Sequence, residues 1–393
     1  MIQTSTHMAA VMGAIGKFAT WATSDEIAGV SARPGACDFL FGNPHDVAPA
    51  AYVDAIVKGA QPTGPLHYAY KMSEPEAAAT VAEGLAARFG IPFAPDDVLM
   101  TNGNFTGLSV VLRVLAGPGD EVIFVSPPWF FYETLIVATG ATPVRVFADP
   151  VTFDLDLDAI AAAIGPRTRA IIVNSPNNPS GRIYPRGDLD ALGAILSEAS
   201  ERHGRRIFLL SDEAYNRIVF DGREYPTPVA SYAASFYLYT YGKTHLAPGM
   251  RLGFIALNPA MEDRHELVLP LTAALIAGGW SFPVAPLQAA IGELDGLTVD
   301  VGTLQRRRDL LVRELRGHGY TVVEPEGTFY VLARSPIEDD EAFCADLRER
   351  GVYVLPGAMF EMPGWFRISV TASDDMVDRS LPGFAAAIAG ARP

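Results

Sequence analysis

The chain has 393 residues, of which 49% are hydrophobic and 19% charged, and it carries a formal net charge of −15. That composition belongs to a globular protein and excludes a disordered or fibrous one. The acidic balance argues against a nucleic-acid partner, and no run of about 18 uninterrupted apolar residues exists, so no membrane span is expected.

In chain order, "DFLFGNPHD" reads as a loop at the edge of a cleft, and the first 45 residues are expected to pack with the C-terminal part. Seven short apolar runs follow, at 97–103, 121–127, 142–148, 169–176, 206–215, 236–243 and 251–257. They are β-branched and aromatic, mostly end in Gly, Pro, Asn, Asp or Ser, and several are apolar on both faces. Helical patterns such as "DLDALGAILSEASERHG" lie between them, which predicts an α/β large domain with a mostly parallel seven-stranded sheet between helices. From about 297 the rhythm changes to a long charged helix, "VDVGTLQRRRDLLVRELRGHG", and then "TVVEPEGTFYVLA", "DDEAFCADLRERG", "VYVLP" and "WFRISVT". This reads as a smaller α+β domain. The expected division is an arm over 1–45, a large domain over 46–296 and a small domain over 297–393.

Cys37 and Cys344 lie far apart in no metal spacing, and the seven histidines form no HExxH pair, so no metal site is expected. The N-terminal stretch lacks a charged-then-apolar leader, and a reducing, cytoplasmic setting follows as the expectation.

The chemistry gathers at the strand ends. Ligands of open α/β sheets bind at the carboxyl ends of the strands. Those ends carry "TNGNFTG", "SPPWFFYE", "NSPNNPSG", "SDEAYNR" and "TYGKTHLAPGMRLG". The last holds Lys243, one of only four lysines among 30 basic residues, inside an apolar and aromatic run. A desolvated lysine serves as an amine nucleophile or base, which arginine cannot.

With these motifs in order, the chain resembles the class I/II aminotransferases, the aspartate-aminotransferase-like branch of fold-type I pyridoxal-phosphate enzymes, from about Gly42 to Arg367. The resemblance implies pyridoxal 5′-phosphate as cofactor and Lys243 as its Schiff-base lysine. It implies Asp212 against the ring nitrogen, Tyr215 and Asn178 at the ring 3′-oxygen, and Trp129 stacked on the ring. Gly103, Asn104 and Phe105 would offer backbone N–H groups to the phosphate, with Thr240 and Arg251. Tyr68 would reach the phosphate of a partner subunit. Arg367 would grip the substrate carboxylate, with Gly42, Trp129 and Asn178 beside it. A homodimer with shared active sites is implied, and "IAGGWSFPVAP" at 276–286 is too apolar for a solvent loop.

Four positions depart from the family pattern: Gly242 in place of a frequent serine, His245 two residues after the lysine, Ser180 in place of threonine, and Phe105 where some dicarboxylate-specific relatives place a lysine. The implied reaction is transfer of an amino group from an L-amino acid to a 2-oxo acid. The alternative on the same scaffold is a β-lyase, synthase or oxidase. Phe41, Phe105, Trp280 and Phe282 are expected to face the substrate, which predicts a neutral or aromatic donor.

Overall fold

The computed structural model describes residues 4–391. Its strands are β1 (Cys37–Asp38), β2 (Val98–Thr101), β3 (Glu121–Ser126), β4 (Thr142–Phe147), β5 (Thr168–Asn174), β6 (Phe208–Asp212), β7 (Ser235–Thr240), β8 (Gly253–Leu257), β9 (Val322–Val323), β10 (Tyr330–Arg334), β11 (Val352–Tyr353), β12 (Leu355–Pro356) and β13 (Trp365–Ser369). β2 to β8 form a seven-stranded sheet in the order β2-β8-β7-β6-β5-β3-β4. Every residue of β6, β7 and β8 is buried, as a sheet covered by helices on both faces requires. These are the seven strands expected from the apolar runs, most of them shortened at the polar carboxyl end, while β5 and β7 begin one residue earlier than expected.

β8 alone runs against its neighbours, antiparallel to both β2 and β7, while the other pairs are parallel. The cause is the connection before it. Residues 241–252 carry only the short helix Tyr241–Thr244, too little for a crossover, so the chain turns straight back. Lys243 sits in that turn, at the carboxyl end of β7.

Beyond the large sheet, β9, β10, β13 and β12 form a four-stranded sheet, and β1 pairs in parallel with β11. The charged helix Val301–His318 begins at Asp300, whose carboxylate accepts the Thr303 N–H, and ends at Gly319, which adopts φ 100°. Its apolar face, Leu304, Leu311 and Leu315, packs into a core with Phe329, Val331, Phe366 and Phe384. A helix over Thr6–Ala22, with Ser5 accepting the Met8 N–H, was not anticipated; none of its side chains is fully buried. No helix among the described residues is long and apolar enough to cross a membrane.

Candidate active site

At the carboxyl ends of β5, β6 and β7 lies a cleft with roughly 600 Å³ of open space, lined by Asn104, Phe105, Trp129, Asn178, Asp212, Tyr215, Thr240, Lys243 and Arg251 among others. The structure thus gathers nine of the residues singled out in the sequence into one place. The Lys243 ammonium stands 5.8 Å from the Tyr215 ring centre and 5.7 Å from that of Phe329.

Asp212, the last residue of β6, is the buried anion of the cleft. Tyr132 donates to one carboxylate oxygen at 2.5 Å and Asn104 to the other at 2.7 Å. Burial raises the Asp212 carboxyl to about 6, against the opposing pull of Tyr132, the Ala214 N–H, Lys243 and Asn104. A carboxylate this dry, with donors on two sides, is built to face a further cation. Its neighbour Glu213 points the other way, into a closed set of donors from Ser211, Thr227, Tyr225 and Asn216, and burial lifts it to about 7.

Gly103 precedes the helix Asn104–Leu115 and no side chain caps it, so the first-turn N–H groups open into the cleft. A Cβ built on Gly103, at φ +86°, would lie 2.7 Å from an Arg251 guanidinium nitrogen and 3.5 Å from the Thr240 hydroxyl. An uncapped helix start, a hydroxyl and a guanidinium therefore converge where only glycine leaves room. That donor set suits a phosphate. With Lys243, Asp212 and the Trp129 ring in the same cleft, the residues fit pyridoxal 5′-phosphate.

Arg367, in the middle of β13, is only 1% exposed, yet no carboxylate pairs with it among the described residues. It donates to the Asn178 side-chain oxygen and the Leu40 carbonyl, both at 2.8 Å, and lies 3.9 Å over the Tyr330 ring. Its Nε has no partner. A buried guanidinium held only by neutral acceptors is costly unless an anion joins it. Gly42 backs the same spot: at φ +72°, its Cβ would meet Phe329 at 2.4 Å and the Tyr330 hydroxyl at 2.9 Å. Burial would raise the Tyr330 phenol, but Arg367 and Lys243 outweigh it and lower the value.

Four expected residues stand apart, and the first is Phe41, whose ring packs edge-on against Phe18 and Trp21 outside the cleft lining. Tyr68 is exposed and donates to the Ala60 carbonyl, outside the cleft of its own chain. Phe282 packs on Tyr70 at 4.8 Å, and the Trp280 ring lies beneath Arg113, so neither lines the cleft as expected. They follow a helix on the far side of Asn102, whose amide holds the Trp280 carbonyl. His245 also turns away, between Tyr52 and Tyr241, with its Nε2 on the Leu294 carbonyl; burial lowers it to about 4, leaving a neutral imidazole. Tyr132 and Tyr330 were missed. Tyr132 opens the helix Tyr132–Val137, and a turn closed by its N–H on the Trp129 carbonyl brings the two rings within 5.5 Å, a proximity that "WFFY" alone does not announce. Tyr330 gives no signal either, since only the pairing of β10 with β13 brings it to Arg367.

Residues 39–382 match the family Aminotransferase class I and II. The chain is similar to the aspartate/prephenate aminotransferase of Thermus thermophilus, 30% identical over 347 residues that span 85% of this chain and 86% of that one. It is likewise similar to the aspartate/prephenate aminotransferase of Cereibacter sphaeroides, 32% identical over 362 residues, 86% and 88% of the two chains. Among solved structures, an aminotransferase from Eubacterium rectale superposes with a TM-score of 0.87 at 30% identity, over 100% of this chain and 97% of that one.

Proposed function

The chain belongs to the class I and II aminotransferases, and we propose that it moves the amino group of a neutral or aromatic L-amino acid to a 2-oxo acid, using pyridoxal 5′-phosphate held around Lys243. When bound, that group supplies a conjugated cationic ring able to take up charge developing at the substrate Cα. Lys243 would hold the cofactor, and its freed amine would then act as the base that takes the proton from Cα, a role worth roughly 10²- to 10⁴-fold. Asp212, steadied by Tyr132 and Asn104, would hold a proton at the ring nitrogen. Tyr215 and Asn178 would serve the ring oxygen, Trp129 would pack against the ring, and Thr240, Arg251 and the amides after Gly103 would hold the phosphate. Arg367 binds the substrate carboxylate and so fixes which Cα bond faces the lysine. Two copies are proposed to pair, with Tyr68 of each completing the other's phosphate site.

The observation that carries the substrate reading is the charge of the cleft lining. Its cations are Lys243 and Arg251, both engaged by the cofactor in this scheme, and Phe105, at the position where some dicarboxylate-specific relatives place a lysine, gives the lining an apolar ring instead. Aspartate and prephenate, for which the relatives are named, each bring a second carboxylate, and burying that group unpaired is costly. The test is a donor panel against pyruvate and 2-oxoglutarate with wild type and Lys243→Ala. We expect kcat/KM for phenylalanine, methionine or leucine to exceed that for aspartate, and Lys243→Ala to lose at least about 10²-fold in turnover. Preference for aspartate would overturn the substrate reading, and wild-type turnover in Lys243→Ala would overturn the role of the lysine.

A further inference from the structure

We infer that Glu361 is a positioning residue for the reaction: its carboxylate latches the loop that leads into β13 onto the edge of the seven-stranded sheet, and so fixes where Arg367 stands relative to Trp129. This rests on the reading of Arg367 as the anchor of the substrate carboxylate. Residues 357–364 join β12 to β13 as a compact loop. The Phe360 and Met362 N–H groups both turn back onto the Gly357 carbonyl, each at 2.9 Å. Asp340, a buried carboxylate, stakes both ends of the loop, accepting from the Ala358 and Gly364 N–H groups at 2.9 Å. Glu361 stands between those stakes.

Glu361 has φ +62°, a left-handed conformation that is unfavourable for a residue with a Cβ. Such a residue persists where its surroundings hold it in place, and here the side chain is what is held. It reaches across to the other sheet. Arg145 of β4 grips it with both ends of its fork, Nη2 at 2.7 Å from Oε1 and Nε at 2.5 Å from Oε2. The buried hydroxyl of Ser126, the last residue of β3, donates to Oε2 at 3.0 Å. Both partners lead into the cleft. Ser126 lies three residues before Trp129, which lines it. Arg145 also pairs at 3.1 Å with Glu133, on the helix whose first residue, Tyr132, donates to Asp212. The strand that carries Arg367 starts four residues after Glu361. The two sheets share no strand pair, so side chains set their relative placement. Arg182 with Glu326 makes another tie, ahead of β10, whereas the Glu361 tie sits on the approach to Arg367 itself. A substrate held at Arg367 and Lys243 spans that join, and its geometry is sensitive to shifts well under 1 Å.

The experiment measures binding of two unreactive carboxylates, 3-phenylpropionate and succinate, to the holoenzyme by calorimetry. In Glu361→Gly the Kd of both should rise about fivefold, because the group they share is the one Arg367 holds. Glycine accepts the left-handed backbone, so the cofactor-free variant should melt within about 2 °C of wild type. Its affinity for pyridoxal 5′-phosphate should stay within about twofold, since Lys243, Thr240, Arg251 and the amides after Gly103 all lie on the other side of the join. Glu361→Gln, which keeps the reach and an acceptor oxygen, should fall between Glu361→Gly and wild type. Arg145→Gln should weaken both carboxylates as Glu361→Gly does, and the double variant should be no weaker than either. An unchanged Kd in Glu361→Gly would overturn the inference, and so would additive losses in the double variant. A lower melting temperature with cofactor affinity lost in the same proportion would overturn it too, because the loop would then support the fold as a whole. Arg367→Met binding both carboxylates as tightly as wild type, or a wild type that binds neither, would instead bring down the reading of Arg367 on which the inference stands.

Discussion

Asp212 shows how one residue carries a function at the expense of stability. Its carboxyl is held at about 6 in the fold by burial, above the usual 3.8 of the unfolded chain. The folded protein therefore keeps a proton that the unfolded chain gives up, so the associated stability is full below about pH 4 and is lost as pH rises through about 6. Glu213, raised to about 7 by the same cause, acts in the same direction. Cofactor-free wild type should be more stable at pH 5 than at pH 8, and Asp212→Asn should reduce that difference by roughly 1.4 kcal/mol, since about half of the linkage lies below pH 5. Urea unfolding of both proteins at the two pH values measures it, and an identical pH difference in both would show that Asp212 is solvated in the free protein. At this scale the site was largely legible, because "SDEAY", "YGK" and "NSPNNPSG" place chemically distinctive residues at strand ends. Tyr132 and Tyr330 were not, since a tyrosine among aromatics looks the same in a core as against a carboxylate.

At the level of elements, the strands could be read because burial on both faces leaves runs with almost no polar residue. The two-residue strands β9, β11 and β12 are too short for any period to show. The helix Thr6–Ala22 was missed although Val11, Ala14, Ile15, Phe18 and Ala22 recur at helical spacing and Ser5 is a recognisable cap, because alanines, methionines and glycines around that half-buried stripe blur its edges. The turn from β2 into the helix Asn104–Leu115 is the element whose conformation the proposed chemistry depends on most. Gly103 there has φ 86° and ψ 171°, a region almost confined to glycine where an L side chain costs roughly 1–3 kcal/mol, and its missing Cβ makes room for Arg251. Gly103→Ala should therefore fold but bind pyridoxal 5′-phosphate at least about tenfold more weakly, with Arg251 displaced from the helix start. Titration of the cofactor-free variant with pyridoxal 5′-phosphate, followed by absorbance, checks this. Wild-type affinity would mean that the phosphate is held elsewhere.

For the whole molecule, the question is what covers its exposed apolar side. Tyr70 is 86% exposed, Leu66 70%, Leu269 76% and Ile276 58%, with Tyr68, Phe282 and Val284 also open. They are not scattered. Tyr70 packs on Phe282, and Gln288 ties the segment after Phe282 to the chain at Met72 and Glu74, so the tyrosines and the 280s form one surface. An apolar surface of this kind on a monomer is a liability for aggregation, and a symmetric pair buries it once on each side. The net charge of −15 opposes association at long range, but salt screens it beyond about 8–10 Å while apolar contact is unaffected. The dimer should therefore persist, or tighten, as salt rises. Sedimentation at micromolar concentration should give twice 42.1 kDa, and Leu269→Asp with Ile276→Asp should give 42.1 kDa. The same double variant should bind the cofactor more weakly although neither residue lines the cleft, because Tyr68 would no longer reach a neighbouring site. A monomeric wild type with full activity would refute the paired arrangement. A monomeric double variant that keeps wild-type cofactor affinity would leave the pair intact but remove Tyr68 from the site.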